Sequence, residues 1–181
     1  GAAKHNVRAW RNSPNSDVVL SKYIPFARDM LENRTSGKGP NATALPWWQK
    51  NMPSLVLYQC DRQTPAWECY SGEGCRHYPV PLDISNPATL QYQMNAGILP
   101  AKLNGYNAIA FDNYNLKNSW KACGAYTGPN GTWVQLYDEQ DPVNDPKYTT
   151  DVLDWTRRAT DAIHAEGKSN TQCTQYTHTH T

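Results

Sequence analysis

Asn107-Ala-Ile-Ala-Phe-Asp-Asn-Tyr-Asn-Leu-Lys-Asn118 is the stretch whose reading decides the fold. Ala108 to Phe111 is a short apolar run that stops abruptly at Asp112 and Asn113, the pattern of a strand buried on both faces with polar groups at its C-terminal tip. Parallel α/β folds place their chemistry at such tips. Gly105-Tyr106 fits the turn after a helix, and Tyr114, Asn115 and Asn118 follow in a loop of aromatic and amide groups. Rings that stack on the CH faces of a sugar, beside donors and acceptors for its hydroxyls, suit carbohydrate. The competing reading makes Asp112 a cap for the next segment or the partner of a nearby arginine.

Working outward, Ser54-Leu-Val-Leu-Tyr-Gln-Cys60 reads as an earlier strand that also stops at an acid, Asp61. Arg62 beside it offers a plainer explanation, an ion pair or a turn. Before that lies a first strand over 17–26, with 18–20 as its buried part and Pro25 ending the pairing. Leu45 to Pro53 reads as a short helix starting at Pro46. Its Trp47-Trp48 pair is either a core anchor or a stacking platform. The 63–81 loop holds Trp67, Glu68, His77 and Tyr78, with His77 read as a surface residue.

Asn86 is a natural N-cap and Pro87 takes the first helical position, while Leu90, Met94 and Ile98 recur on one face. The strand at 107–112 follows that helix and returns parallel to the 54–60 strand. A long loop from Tyr114 to Tyr148 carries Trp120, Cys123 and a short run at 133–137. Thr149 to Glu166 is a helix with Val152, Trp155, Ala159, Ala162 and Ile163 in one stripe. Lys168 to Tyr176 reads as a weak fourth strand. The expected architecture is α/β, a parallel TIM-barrel-like sheet of about half a barrel, with a surface segment over 1–16, the barrel portion over 17–176 and a polar tail over 177–181.

Composition narrows the function. The chain has 181 residues, enough for one domain with a real core. A net charge of +1 from 17 basic and 16 acidic residues argues against nucleic acid as a partner. No apolar run approaches the roughly 20 residues of a membrane span. Seven Trp and eleven Tyr against two Phe favour rings with a polar handle. No metal-ligand spacing and no cofactor motif stand out.

Five cysteines lie in Gly, Pro and Asn-rich loops and read as disulfides: Cys60, Cys69, Cys75, Cys123 and Cys173. Cys69 and Cys75 enclose a loop small enough to close locally; Cys60 and Cys123 sit at or beyond strand tips; Cys173 is left odd. Sequons at Asn33, Asn41 and Asn130 fall in predicted loops. Together they point to a secreted, extracellular glycoprotein.

Four blocks carry a resemblance: Lys22-Tyr-Ile-Pro-Phe-Ala-Arg28, Tyr58-Gln-Cys-Asp-Arg-Gln-Thr-Pro-Ala-Trp67, Val80-Pro-Leu-Asp-Ile-Ser-Asn-Pro87 and Gly105-Tyr-Asn-Ala-Ile-Ala-Phe-Asp-Asn113. In order and over roughly 17–170, they resemble a glycoside-hydrolase (β/α)8-barrel family similar to endo-α-1,4-polygalactosaminidase-like proteins. The resemblance implies a barrel that acts on polysaccharide or descends from enzymes that do, with Asp112 as nucleophile and Asp61 and Asp83 as further acids. Asn113, Tyr114, Trp47, Trp67 and Trp120 are the candidate sugar contacts.

A complete barrel needs about 250 residues, and glycoside hydrolysis ordinarily uses two carboxylates across the bond. Four strands supply half. The rest comes from further sequence or a second chain, or the domain is a non-catalytic glycoprotein that assembles with copies of itself through aromatics and Cys173.

Overall fold

The computed structural model describes residues 19–29, 45–66, 79–112, 114–128 and 130–166. They form a small mixed α/β domain with one two-stranded parallel sheet, one two-stranded antiparallel sheet and no closed barrel. In chain order come β1 (Ser21–Pro25), α1 (Leu45–Asn51), a 3₁₀ turn (Pro53–Leu55), α2 (Pro87–Gln93), α3 (Leu99–Leu103), β2 (Ala108–Asp112), β3 (Gly124–Tyr126), β4 (Trp133–Gln135) and α4 (Pro146–Glu166).

β1 and β2 pair in parallel, from Ser21 opposite Ala108 to Pro25 opposite Asp112. The chain between them holds a helix, as a parallel return requires. Two expectations are corrected. The buried part of the first strand is Ile24 rather than 19–20, since Val19 is 53% exposed and Leu20 half-buried; Val18 lies outside the described residues. The partner of β2 is β1, not the 54–60 run. Pro53 opens a 3₁₀ turn in that run, and only isolated antiparallel bridges follow, Val56 to Leu82 and Tyr58 to Pro65 and Gly124. Pro65 and Pro81 flank it without N–H groups to give, so a regular ladder cannot extend. Arg28 bridges Pro81 antiparallel, and Val56 bridges Leu82 antiparallel. Two reversals give 55–58 the same direction as β1.

α2 starts where punctuation predicts. The Asn86 side chain accepts from Ala88 N–H at 3.0 Å, with Pro87 next. A π turn over Met94–Ile98 joins α2 to α3, making one helix of the two. Pro100 has no N–H and its ring would strike the carbonyl four residues back in a regular α-helix. Widening the turn before it removes that conflict.

The helices cover one face of the parallel pair. Ile24, Ile109, Met94, Ile98, Ala101 and Ile163 form one buried cluster, with Phe111 packed against it. Trp155 of α4 meets Phe26 edge-on at 4.9 Å and Phe111 at 5.1 Å. By the alternation of strands, Tyr23, Pro25, Ala110 and Asp112 face the other way. Tyr23 is 55% exposed there, so the described residues leave that face partly open.

The 133–137 run supplies β4, antiparallel to β3. Cys60 and Cys123 form a disulfide across 63 residues of sequence, beside the backbone bonds between Tyr58 and Gly124. Cys69, Cys75, Cys173, His77 and the 168–176 strand lie outside the described residues. Among those described, no helix is long and apolar enough to cross a membrane.

Candidate functional site

Asp112 is the last residue of β2, and its carbonyl accepts the Phe26 N–H at 2.9 Å. That bond fixes the strand tip against β1, while the half-buried side chain shares the open face with Tyr23 and Ala110. Asn113 lies outside the described residues. Tyr114 turns inward: its ring is 5.1 Å from Phe26 and its hydroxyl pairs with Thr156 Oγ1 at 2.9 Å. It is an anchor to α4 rather than an open platform.

Asp61 is exposed and committed to a turn. Its carboxylate accepts from Thr64 Oγ1 at 2.5 Å, Thr64 N–H at 2.8 Å and Gln63 N–H at 2.9 Å. The Thr64 hydroxyl, then the two backbone N–H groups, hold its pKa below the usual carboxylate value. Arg62 adopts a left-handed φ of 62° and lies with its guanidinium 5.6 Å from the Trp133 ring. The turn explains both residues.

Asp83 has the opposite setting. It is 5% exposed and accepts from Ser85 Oγ at 2.6 Å and Ser85 N–H at 2.9 Å. Burial pushes its carboxyl upward, the Ser85 bonds pull it back, Asp151 adds a further push upward and Lys147 opposes it. Asp151 and Lys147 belong to the first turns of α4, where Lys147 Nζ and Asp151 Oδ2 pair at 2.5 Å. Tyr137 completes the cluster, 5.3 Å from the Tyr148 ring and 5.0 Å from Lys147 Nζ. Burial first, then the Asp151 and Asp83 carboxylates, push its phenol far upward. The hydroxyl faces Asp151 without reaching hydrogen-bond geometry with any described residue.

Asp83 and Asp112 flank β1 at one height. Asp112 is bonded to Phe26 and Leu82 N–H to the Ala27 carbonyl, which sets their backbones two strand spacings apart, about 10 Å. Their side chains diverge, since Asp83 lies against α4 and Asp112 faces away from the helices. Asp61 is farther off. Asp83 N–H bonds to the Leu55 carbonyl, so Asp83 and Asp61 sit at opposite ends of the 55–61 run.

The candidate platforms divide similarly. Trp48 is buried with its indole N–H on Asp29 at 3.0 Å, and the half-buried Trp47 meets it edge-on at 5.3 Å. Trp120 has one face covered by the Arg28 guanidinium at 3.6 Å. Trp67, Asn33 and Asn41 lie outside the described residues, while Asn130 is exposed in the β3–β4 connection.

Residues that sequence reasoning passed over are Tyr23, Tyr137, Lys147 and Asp151. Alternation with Ile24 marks Tyr23 as an open-face residue, and the i, i+4 spacing of Lys147 and Asp151 marks a helix pair. Nothing local marks Tyr137 as their neighbour. No three His, Cys, Asp or Glu among the described residues converge on a metal position. No family model, no curated protein and no solved structure matches the chain.

Proposed function

We propose that this chain is an extracellular glycoside-hydrolase-like domain, with a TIM-barrel-like ancestry, that meets polysaccharide on the open face of its parallel pair. The observation that carries the reading is Asp112: a half-buried carboxylate at the C-terminal tip of a parallel strand, on the face the helices leave uncovered, beside the exposed ring of Tyr23. In this reading Asp112 attacks the anomeric carbon, and the leaving-group proton comes from an acid held protonated by burial. Burial pushes the Asp83 carboxyl in that direction, but it is turned toward α4, so a rotation of its side chain or an acid outside the described residues must serve.

The test is release of reducing ends from a panel of neutral and amino-sugar polysaccharides. Activity is expected in the parent chain, lost in Asp112→Asn and kept in Asp61→Asn, whose carboxylate only shapes a turn. Hydrolysis that survives Asp112→Asn removes the proposed nucleophile.

One observation favours a second reading, a non-catalytic glycoprotein that self-assembles. Asp61 and Asp83 are each engaged in local turn bonds, and neither stands across a gap from Asp112. A chain that hydrolyses nothing in the panel and sediments as an oligomer supports this alternative.

A further inference from the structure

Two asparagines precede glycine in this chain, Asn104 and Asn130, and the fold treats them in opposite ways. Asn104 closes α3. Its Nδ2 donates to the Pro100 carbonyl at 2.7 Å, its backbone N–H to the carbonyls of Pro100 and Ala101, and the N–H of the buried Gly105 to Lys102 at 2.9 Å. Asn130 is exposed, and its side chain makes no hydrogen bond to any described residue. Its neighbour is glycine for a steric reason: a Cβ on Gly131 would lie 2.3 Å from Gly128 N and 2.7 Å from Thr127 Oγ1. The turn thus demands the one residue that leaves the Asn130 carboxamide unshielded from the following backbone nitrogen.

We infer that Asn130 is a site of spontaneous covalent modification: without a glycan it cyclises and opens to aspartate and isoaspartate, while Asn104 persists. The Gly131 backbone nitrogen bonds to Asn130 Cγ, the Cγ–Nδ2 bond breaks, and the displaced nitrogen leaves as ammonia with the proton that Gly131 gives up. Water then adds at either carbonyl of the succinimide and breaks one of its C–N bonds. Opening on one side restores the normal backbone as aspartate; opening on the other routes the backbone through Cβ. Among the described residues, the attacking nitrogen is held only by its N–H bond to the Gly128 carbonyl, 3.0 Å.

The departing Nδ2 is also the atom that a glycan occupies at the Asn130-Gly131-Thr132 sequon. The two fates exclude each other, and deamidation removes the acceptor permanently. This chemistry does not depend on the hydrolase reading.

The experiment uses the full chain made in a host without N-glycosylation and aged at mildly alkaline pH. Peptide mass spectrometry and isoaspartyl methylation follow both sites. Conversion is expected at Asn130, and at Asn104 about tenfold more slowly, because several hydrogen bonds must open there. In the reduced chain unfolded in urea the two rates converge. No conversion at Asn130, equal rates in the native chain, or a rate gap that survives unfolding each overturns the inference.

Discussion

Asp61 and Asp83 are the same side chain in opposite electrostatic settings. Asp61 meets water and three donors, which favour its charge; Asp83 is packed beneath α4, where burial outweighs the two Ser85 bonds and the Lys147 charge that favour its ionised form. The raised Asp83 pKa means that the folded chain binds this proton more tightly than the unfolded one. Its stabilising contribution is therefore complete below the unfolded value of 3.8 and is lost as pH rises through the higher folded value. Asp83→Asn keeps the shape and cannot ionise. Thermal unfolding across mildly acidic to neutral pH should show the parent losing ground to Asp83→Asn as pH rises; parallel curves would refute the assignment. A sequence reader sees two aspartates that each end an apolar run. What separates them, burial and the arrival of α4 from far along the chain, is not written near either one.

At the scale of elements, β3 depends on a missing side chain. A Cβ on Gly124 would lie 2.3 Å from the Val134 carbonyl and 2.5 Å from the Trp133 ring. Gly124→Ala must displace β4 or turn out Trp133, at a cost of about 1–3 kcal/mol, readable as a lower denaturant midpoint. An unchanged midpoint would mean that the hairpin adds little to the folded state. Elements with strong periodicity or punctuation were legible: α2 from Asn86-Pro87, α4 from its stripe, β2 from its apolar run and polar stop. β3 is three residues long and has no alternation to read. The 54–60 run shows the limit of pattern, since an apolar run reports burial but not which neighbour it pairs with. The barrel-like reading of its pairing failed because Pro53 opens a 3₁₀ turn and Pro65 and Pro81 meet the run and its neighbour only in isolated bridges.

For the molecule as a whole, the Cys60–Cys123 bridge closes a long loop that holds α2, α3 and β2. For a separation of 63 residues, the loop-entropy treatment gives about 4 kcal/mol of stabilisation. Cys60→Ser with Cys123→Ser should lower the unfolding free energy by up to that amount, measured in denaturant against the oxidised parent. A loss below about 1 kcal/mol would show that the unfolded chain is already compact there. The pairing itself was open from sequence, because five cysteines allow several connectivities. The open face around Asp112 was likewise hidden, since it depends on which side of the parallel pair the helices choose.

The bond between the two halves of the molecule is doubled at one place. Next to the bridge, Tyr58 donates to the Gly124 carbonyl at 2.9 Å and accepts from Cys123 N–H at 2.7 Å and Gly124 N–H at 3.3 Å. A pull on the hairpin must first shear these contacts before any tension reaches sulfur. Cys123 is wholly buried behind them. A reductant therefore reaches Cys123 only after the seam has parted, so attack on the folded chain falls to the half-buried Cys60 and would strand the Cys123 thiolate in a buried site.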